Sequence, residues 1–212
     1  MKNMRLTVCI GIMCGWLAAG MLHAGTRPDH VRPVEEDGSR LWLPVIRPVE
    51  GAEVEITYKG KVSPTIAIAI AELKNAWKGD PVLLEKKKTG RGDGFAITSS
   101  EHQVRILSST ETGLLYGAYS LLRMQAAGQL TVPLSVTEQP AYDLRILNHW
   151  DNPDGTVERG YAGRSLWNWE ELPGTLSPRY EAYARANASV GINGTVLNNV
   201  NASPQVLTTG SL

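Results

Sequence analysis

Cysteine is almost absent from this chain. The 212 residues contain two, Cys9 and Cys14, and both lie in the first 24 positions. Residues 25–212 therefore have no thiol to pair, to ligate a metal or to attack a substrate, which excludes a disulfide framework and cysteine chemistry there. A charge excess of one sign is missing as well: 21 basic residues balance 21 acidic ones. Without residues 1–24, which hold Lys2 and Arg5 and no acid, the net charge is −2. Such a surface has no strong field to draw in nucleic acid or anionic lipid, so no nucleic-acid partner is expected. Lys86-Lys87-Lys88 is the one basic run, and three lysines read as a solvated helix end or turn. No sequence motif for a cofactor or metal is present, and none is expected.

Long apolar runs are lacking too, save one. Leu6 to Leu22 carries no charge, follows a basic start (Lys2, Arg5) and precedes Leu22-His23-Ala24. That is the layout of a secretory signal peptide cut after Ala24, and it predicts a secreted or periplasmic protein with no stable membrane insertion after cleavage. An uncleaved membrane anchor is the alternative, weakened by Gly11, Gly15 and Gly20 within the run. Met13 before Cys14 is not the small residue that lipidation needs.

Residues 25–40, with Pro28, Pro33 and Gly38, read as a linker or arm. Residues 41–140 read as an α+β sandwich, a small sheet with two helices packed on it. Val54, Ile56 and Tyr58 alternate as in a strand. Pro64 suits a first helical turn, and Ile66, Ile70, Leu73 and Trp77 then recur at helical spacing. Val82–Leu84, Phe95–Ile97, Gln103–Leu107 and Thr131–Val136 read as strands, and Arg91-Gly92-Asp93-Gly94 as a hairpin turn. Leu114, Leu115, Ala118, Leu121 and Leu122 mark a second helix, ended by Gly128. His102 is alone in a polar turn and is expected to be exposed.

After Pro140 the pattern becomes strand, long loop, helix, strand. Leu144–Leu147 reads as a strand on its apolar residues Leu144, Ile146 and Leu147, Ser177-Pro178 opens a helix that Gly191 ends, and Ile192–Leu197 is a second strand. Both strands run into polar stretches, Asn148–Arg164 and Asn198–Asn201. Residues 141–212 thus predict the first units of a (β/α)8 TIM barrel, in which function gathers at the C-terminal ends of strands. A barrel takes roughly 250 residues, so the expectation is of an incomplete one. The stretch 148–164 crowds carboxylates, aromatics, amides and arginines into one loop. Asp151, Asp154 and Glu158 are able to bind hydroxyls or move protons, and Trp150 and Tyr161 to stack on a sugar face. Arg159 and Arg164 are expected to pair with these carboxylates. A salt-bridged structural loop uses the same residue types. A local catalytic set with a metal is the third reading; Asp151-x-x-Asp154 resembles a calcium loop slightly but lacks the further ligands. Three N-x-Ser/Thr sequons, at Asn187, Asn193 and Asn201, are read as chance.

The motif Asn148-His149-Trp150-Asp151-Asn152, then Asp154-Gly155, Glu158-Arg159-Gly160-Tyr161-Ala162-Gly163-Arg164-Ser165, resembles the α-glucuronidases of glycoside hydrolase family 67. So do Ala188-Ser189, Gly191-Ile192-Asn193-Gly194 and Asn198-Asn199-Val200-Asn201. Leu115-Tyr116-Gly117-Ala118-Tyr119 is similar to the second helix of that family's N-terminal domain, a less specific likeness because hexosaminidase-type enzymes carry a similar small domain. Pro153 stands where the family more often has another apolar residue.

The resemblance implies removal of 4-O-methyl-D-glucuronic acid from xylo-oligosaccharides by inverting hydrolysis, with a carboxylic acid and a carboxylate base roughly 6.5–9.5 Å apart. It implies that Trp150 and Glu158 bind substrate, with Asp151 and Asn152 as weaker candidates. The acid and base are expected beyond Leu212, and nothing here matches their motifs, so no catalytic residue is assigned. Family members allow for dimers, through no residue identifiable here. The alternatives are a non-catalytic carbohydrate-binding module and the N-terminal part of a hexosaminidase-like hydrolase.

Overall fold

The computed structural model describes residues 42–43 and 54–198, all within the unit Asp37–Leu212. The expected signal peptide, the linker and the polar stretch from Asn199 onward lie outside the described residues. Two bodies of secondary structure follow one another along the chain.

The first is a five-stranded mixed sheet with two helices. Its elements are β1 (Ile56–Lys59), α1 (Pro64–Ala76), β2 (Val82–Lys86), β3 (Phe95–Ser100), β4 (Gln103–Ser108), α2 (Glu111–Ala126) and β5 (Ser135–Glu138). The spatial order is β1-β2-β4-β3-β5. β1, β2 and β4 run parallel, and β3 is antiparallel to both β4 and β5. The helices begin where the sequence supplies acceptors for free amide groups. Ser63 caps α1 by accepting from the Ile66 N–H, with Pro64 in the first turn, and Thr110 caps α2 by accepting from the Gly113 N–H.

Val104, Ile106 and Ser108 on β4 are buried while Arg105 and Leu107 are partly exposed, so the helices cover one face of the sheet. Ile66, Leu73, Leu84, Ile97, Ile106, Leu114, Leu121 and Leu122 are wholly buried between the layers. Each such side chain contributes about 1.5–3 kcal/mol of burial. Gly117 brings α2 close to the sheet: a Cβ there would lie 2.5 Å from Ile106 Cγ2.

Two local expectations are corrected. Residues 91–94 do turn, but they are not a hairpin, because β4 lies between β2 and β3. The hairpin is β3–β4, and its turn holds the exposed His102. The last strand starts at Ser135, not Thr131. Pro133 has no N–H to give a ladder, so pairing begins after it.

The second body is a parallel pair, β6 (Ile146–Asp151) and β7 (Gly194–Asn198), joined through residues 152–177 and α3 (Pro178–Ser189). Two arginines fasten it to the first body. Arg145 donates to Asp93 at 3.2 Å, to the Gly191 carbonyl at 2.5 Å and to the Tyr142 carbonyl at 2.8 Å, and lies over the Tyr116 ring. Arg185 forks onto Glu72 and also donates to the Leu43 carbonyl. Asn187 is buried at the end of α3, and the Asn193 amide donates to the Asp143 carbonyl, so neither sequon presents a free amide.

Candidate sugar-binding site

β6 alternates as a half-buried strand must. Ile146, Asn148 and Trp150 are exposed, whereas Leu147, His149 and Asp151 face α3 and the loop behind. Trp150 is 43% exposed, a large apolar surface left open at the C-terminal end of the strand.

Asp151 is 3% exposed. Its Oδ2 accepts from the Ser165 hydroxyl at 2.6 Å and from the Leu166 N–H at 3.1 Å. A carboxylate so buried and so occupied pins the far end of the loop to the strand. Asn152 ties the near end: its amide donates to Thr156 Oγ1 and to the Glu158 carbonyl, both at 2.9 Å. Asp154 accepts from the Thr156 hydroxyl and N–H, which hold its carboxyl below the usual carboxylate range. These residues shape the loop that presents Trp150.

Glu158 is the one non-glycine with positive φ among the described residues, at +58°. A left-handed glutamate costs about 1–2 kcal/mol, and such strain gathers at functional sites. Its N–H donates to the Trp150 carbonyl at 2.6 Å, so the two residues are held side by side. The Tyr161 hydroxyl donates to Glu158 Oε1 at 2.7 Å, and this hydrogen bond raises the phenol's pKa. Tyr161 is 70% exposed. Trp150 and Tyr161 are thus exposed aromatic residues, and Glu158 is bonded to both, to the first by its N–H and to the second by its carboxylate.

Arg159 and Arg164 are exposed and make no ion pair among the described residues, contrary to the expected pairing. The carboxylates are met by nearer O–H and N–H donors. The described residues contain no cluster of three or more His, Cys, Asp or Glu fit for a metal.

Sequence reasoning missed the support behind the strand. His149 Nε2 lies 2.5 Å from the Tyr183 hydroxyl, and its ring meets Trp167 and Tyr183 edge-on. Two cavities lie nearby, and the first of them touches this support. One, of about 500 Å³, is lined by Trp167, Tyr180, Tyr183, Ile192 and Leu197; the other, of about 290 Å³, by Asp93, Tyr116, Arg123, Glu138 and Arg145. Neither is lined by Trp150 or Glu158. The period-2 alternation of β6 was the available signal, since it sends His149 and Asp151 to the same side.

Residues 124–212 match the glycosyl hydrolase family 67 middle domain. The chain is 42% identical over 116 residues to a probable alpha-glucuronidase A of Aspergillus clavatus, covering 54% of this chain and 14% of that protein. It is 41% identical over 115 residues to alpha-glucuronidase A of Aspergillus tubingensis, again 54% and 14%. The chain therefore aligns with about 14% of the length of these curated relatives. A solved structure, a GH138 enzyme targeting pectin rhamnogalacturonan II, superposes with a TM-score of 0.51 at 15% identity, covering 69% of this chain and 19% of the other. At that identity the likeness is one of fold. The matched segment is thus similar to the middle domain of glycoside hydrolase family 67, and it contains the Asn148–Ser165 motif that led us to expect that likeness.

Proposed function

We propose that this chain supplies the substrate-gripping part of a carbohydrate hydrolase, an α-glucuronidase that releases 4-O-methyl-D-glucuronic acid from xylo-oligosaccharides by inverting hydrolysis. One observation carries the reading. An exposed Trp150 and a conformationally strained Glu158 are bonded side by side at the C-terminal end of a parallel strand, within the segment matched to the family. The indole offers a flat face to the sugar ring, and the carboxylate accepts from ring hydroxyls in charge-assisted bonds. Asp151 and Asn152 act behind them, holding the loop. The names of the curated relatives support the glucuronate as the sugar.

The parallel β6–β7 pair with its helical crossover is the unit from which (β/α)8 barrels repeat, and we take it as the start of one. The inverting acid and base then come from residues other than these, since Asp151 and Asp154 are engaged in holding the loop. Export by the segment 1–24 fits an enzyme acting on a polymer outside the cell. That reading rests on the basic start, the uncharged run and Ala24.

Isothermal titration of the chain with 4-O-methyl-D-glucuronic acid tests the proposal. A saturable heat that Trp150→Ala removes is the expected result. No heat with the unaltered chain, or equal heat with the variant, overturns it.

A further inference from the structure

We propose that His149 is a positioning residue for Trp150, and that the proton on its imidazole governs how the indole is presented. The functional weight of this rests on the reading of Trp150 as a sugar-contacting residue; the coupling itself does not. His149 and Asp151 flank Trp150 in the strand, and both point to the opposite face. Asp151 is anchored to Ser165 and Leu166. His149 is anchored to α3 through the Tyr183 hydroxyl at 2.5 Å. The backbone of Trp150 is thus clamped on both sides from behind.

The hydrogen bonding around Tyr183 gives the imidazole proton a consequence. Thr195 Oγ1 donates to the Leu147 carbonyl at 3.3 Å and lies 3.3 Å from the Tyr183 hydroxyl. With its proton spent on Leu147, Thr195 accepts from Tyr183, and Tyr183 then accepts from His149 Nε2–H. That leaves Nδ1 facing Asp151 Oδ1 at 3.8 Å. A neutral ring turns a lone pair toward the carboxylate, and a protonated ring turns an N–H toward it. Gaining the proton therefore draws His149 and Asp151 together across the residue between them. Among the described residues, the titratable groups in contact with the ring are Asp151 on its own strand and Tyr183 on α3. The loop adds only the neutral Trp167 ring.

Indole 15N–1H spectra of the full chain decide the matter. The Trp150 cross-peak is the one that disappears in Trp150→Phe. In the unaltered chain it is expected to move with pH in step with the resonances of the His149 ring. His149→Gln keeps a donor for Tyr183 but has no titrating ring, so the shift should vanish. Asp151→Asn keeps the Tyr183 anchor but removes the charge that Nδ1 faces, so Trp150 should no longer follow. If His149→Gln fails to fold by circular dichroism, Asp151→Asn decides alone. A Trp150 cross-peak that ignores pH in the unaltered chain, or that follows pH equally in the folded variants, overturns the proposal. Added 4-O-methyl-D-glucuronic acid tests the other reading in the same spectra. If no indole responds to the sugar, the binding reading falls while the pH coupling stands or falls on its own titration.

Discussion

Arg185 and Glu72 meet as two forks: Nε to Oε1 at 2.6 Å and Nη2 to Oε2 at 2.8 Å. The pair joins α3 to α1 across 113 residues of sequence, and both side chains are less than one-fifth exposed. Two parallel bonds between charged planar groups are stronger and more directional than a single contact. Glu72→Gln and Arg185→Ala should each lower the unfolding free energy by about 1.5–3 kcal/mol, measured by urea denaturation. Arg185→Lys should recover only part, because an ammonium cannot fork.

Asp151 holds the loop rather than the sugar. Asp151→Ala removes the acceptor of the half-buried Ser165 hydroxyl and Leu166 N–H, a cost of about 0.5–1.5 kcal/mol for each bond. The same substitution should free residues 152–166 to proteases ahead of global unfolding. A loop as resistant in Asp151→Ala as in the unaltered chain would contradict this role.

The left-handed backbone at Glu158 gives a test by comparison. Glu158→Ala and Glu158→Gly both lose the carboxylate and its bond with Tyr161, but only glycine tolerates φ of +58° without a Cβ clash. The glycine variant should be the more stable of the two by about 1 kcal/mol. Both should lose sugar affinity. Equal denaturation midpoints would show that the position carries no strain.

Gly117→Ala should destabilise the first body by about 1–3 kcal/mol, because the added methyl overlaps Ile106 and α2 must back away from the sheet. The urea midpoint should fall and the loop at 151–166 should be unaffected.

Alkaline pH probes Tyr119. Burial first, and then the charge of Glu72, push its phenol well above the ordinary value of 10.0. The folded chain keeps that proton longer than the unfolded chain does. The resulting stability is intact below about pH 10 and is lost as pH rises from there toward the folded value. Denaturation midpoints across this range should fall more gently in Tyr119→Phe. Tyr58 and Tyr116 are also raised, so some slope should remain.

Much of the first body was legible because its residues obey local rules. Pro64 announced its helix, and Ile66, Leu73, Leu114 and Leu121 lie on the faces their spacing predicts. The sheet order was not legible, since nothing in Arg91–Gly94 says that β4 will pass between its neighbours. At the site, the motif pointed to the right loop but not to its internal division of labour. Asp151, Asp154 and Glu158 look alike as letters. Strand alternation buries the first, Thr156 occupies the second, and an unusual φ turns the third beside Trp150. The expected arginine pairs failed for a related reason: short donors already in the loop reach a carboxylate with less entropy to lose than a long side chain. His149 was invisible because its partner, Tyr183, is 34 residues away.

Arg145 stands at the foot of the strand that has Trp150 near its tip. With its guanidinium shared between Asp93 of the sheet body and the Gly191 carbonyl beyond α3, the root of β6 is bolted in two directions. A load taken up near the tip of β6 would pass down the strand to the first sheet instead of peeling the loop. The sheet body then works as a footing: what it lends to the loop around Trp150 is stiffness supplied from a distance.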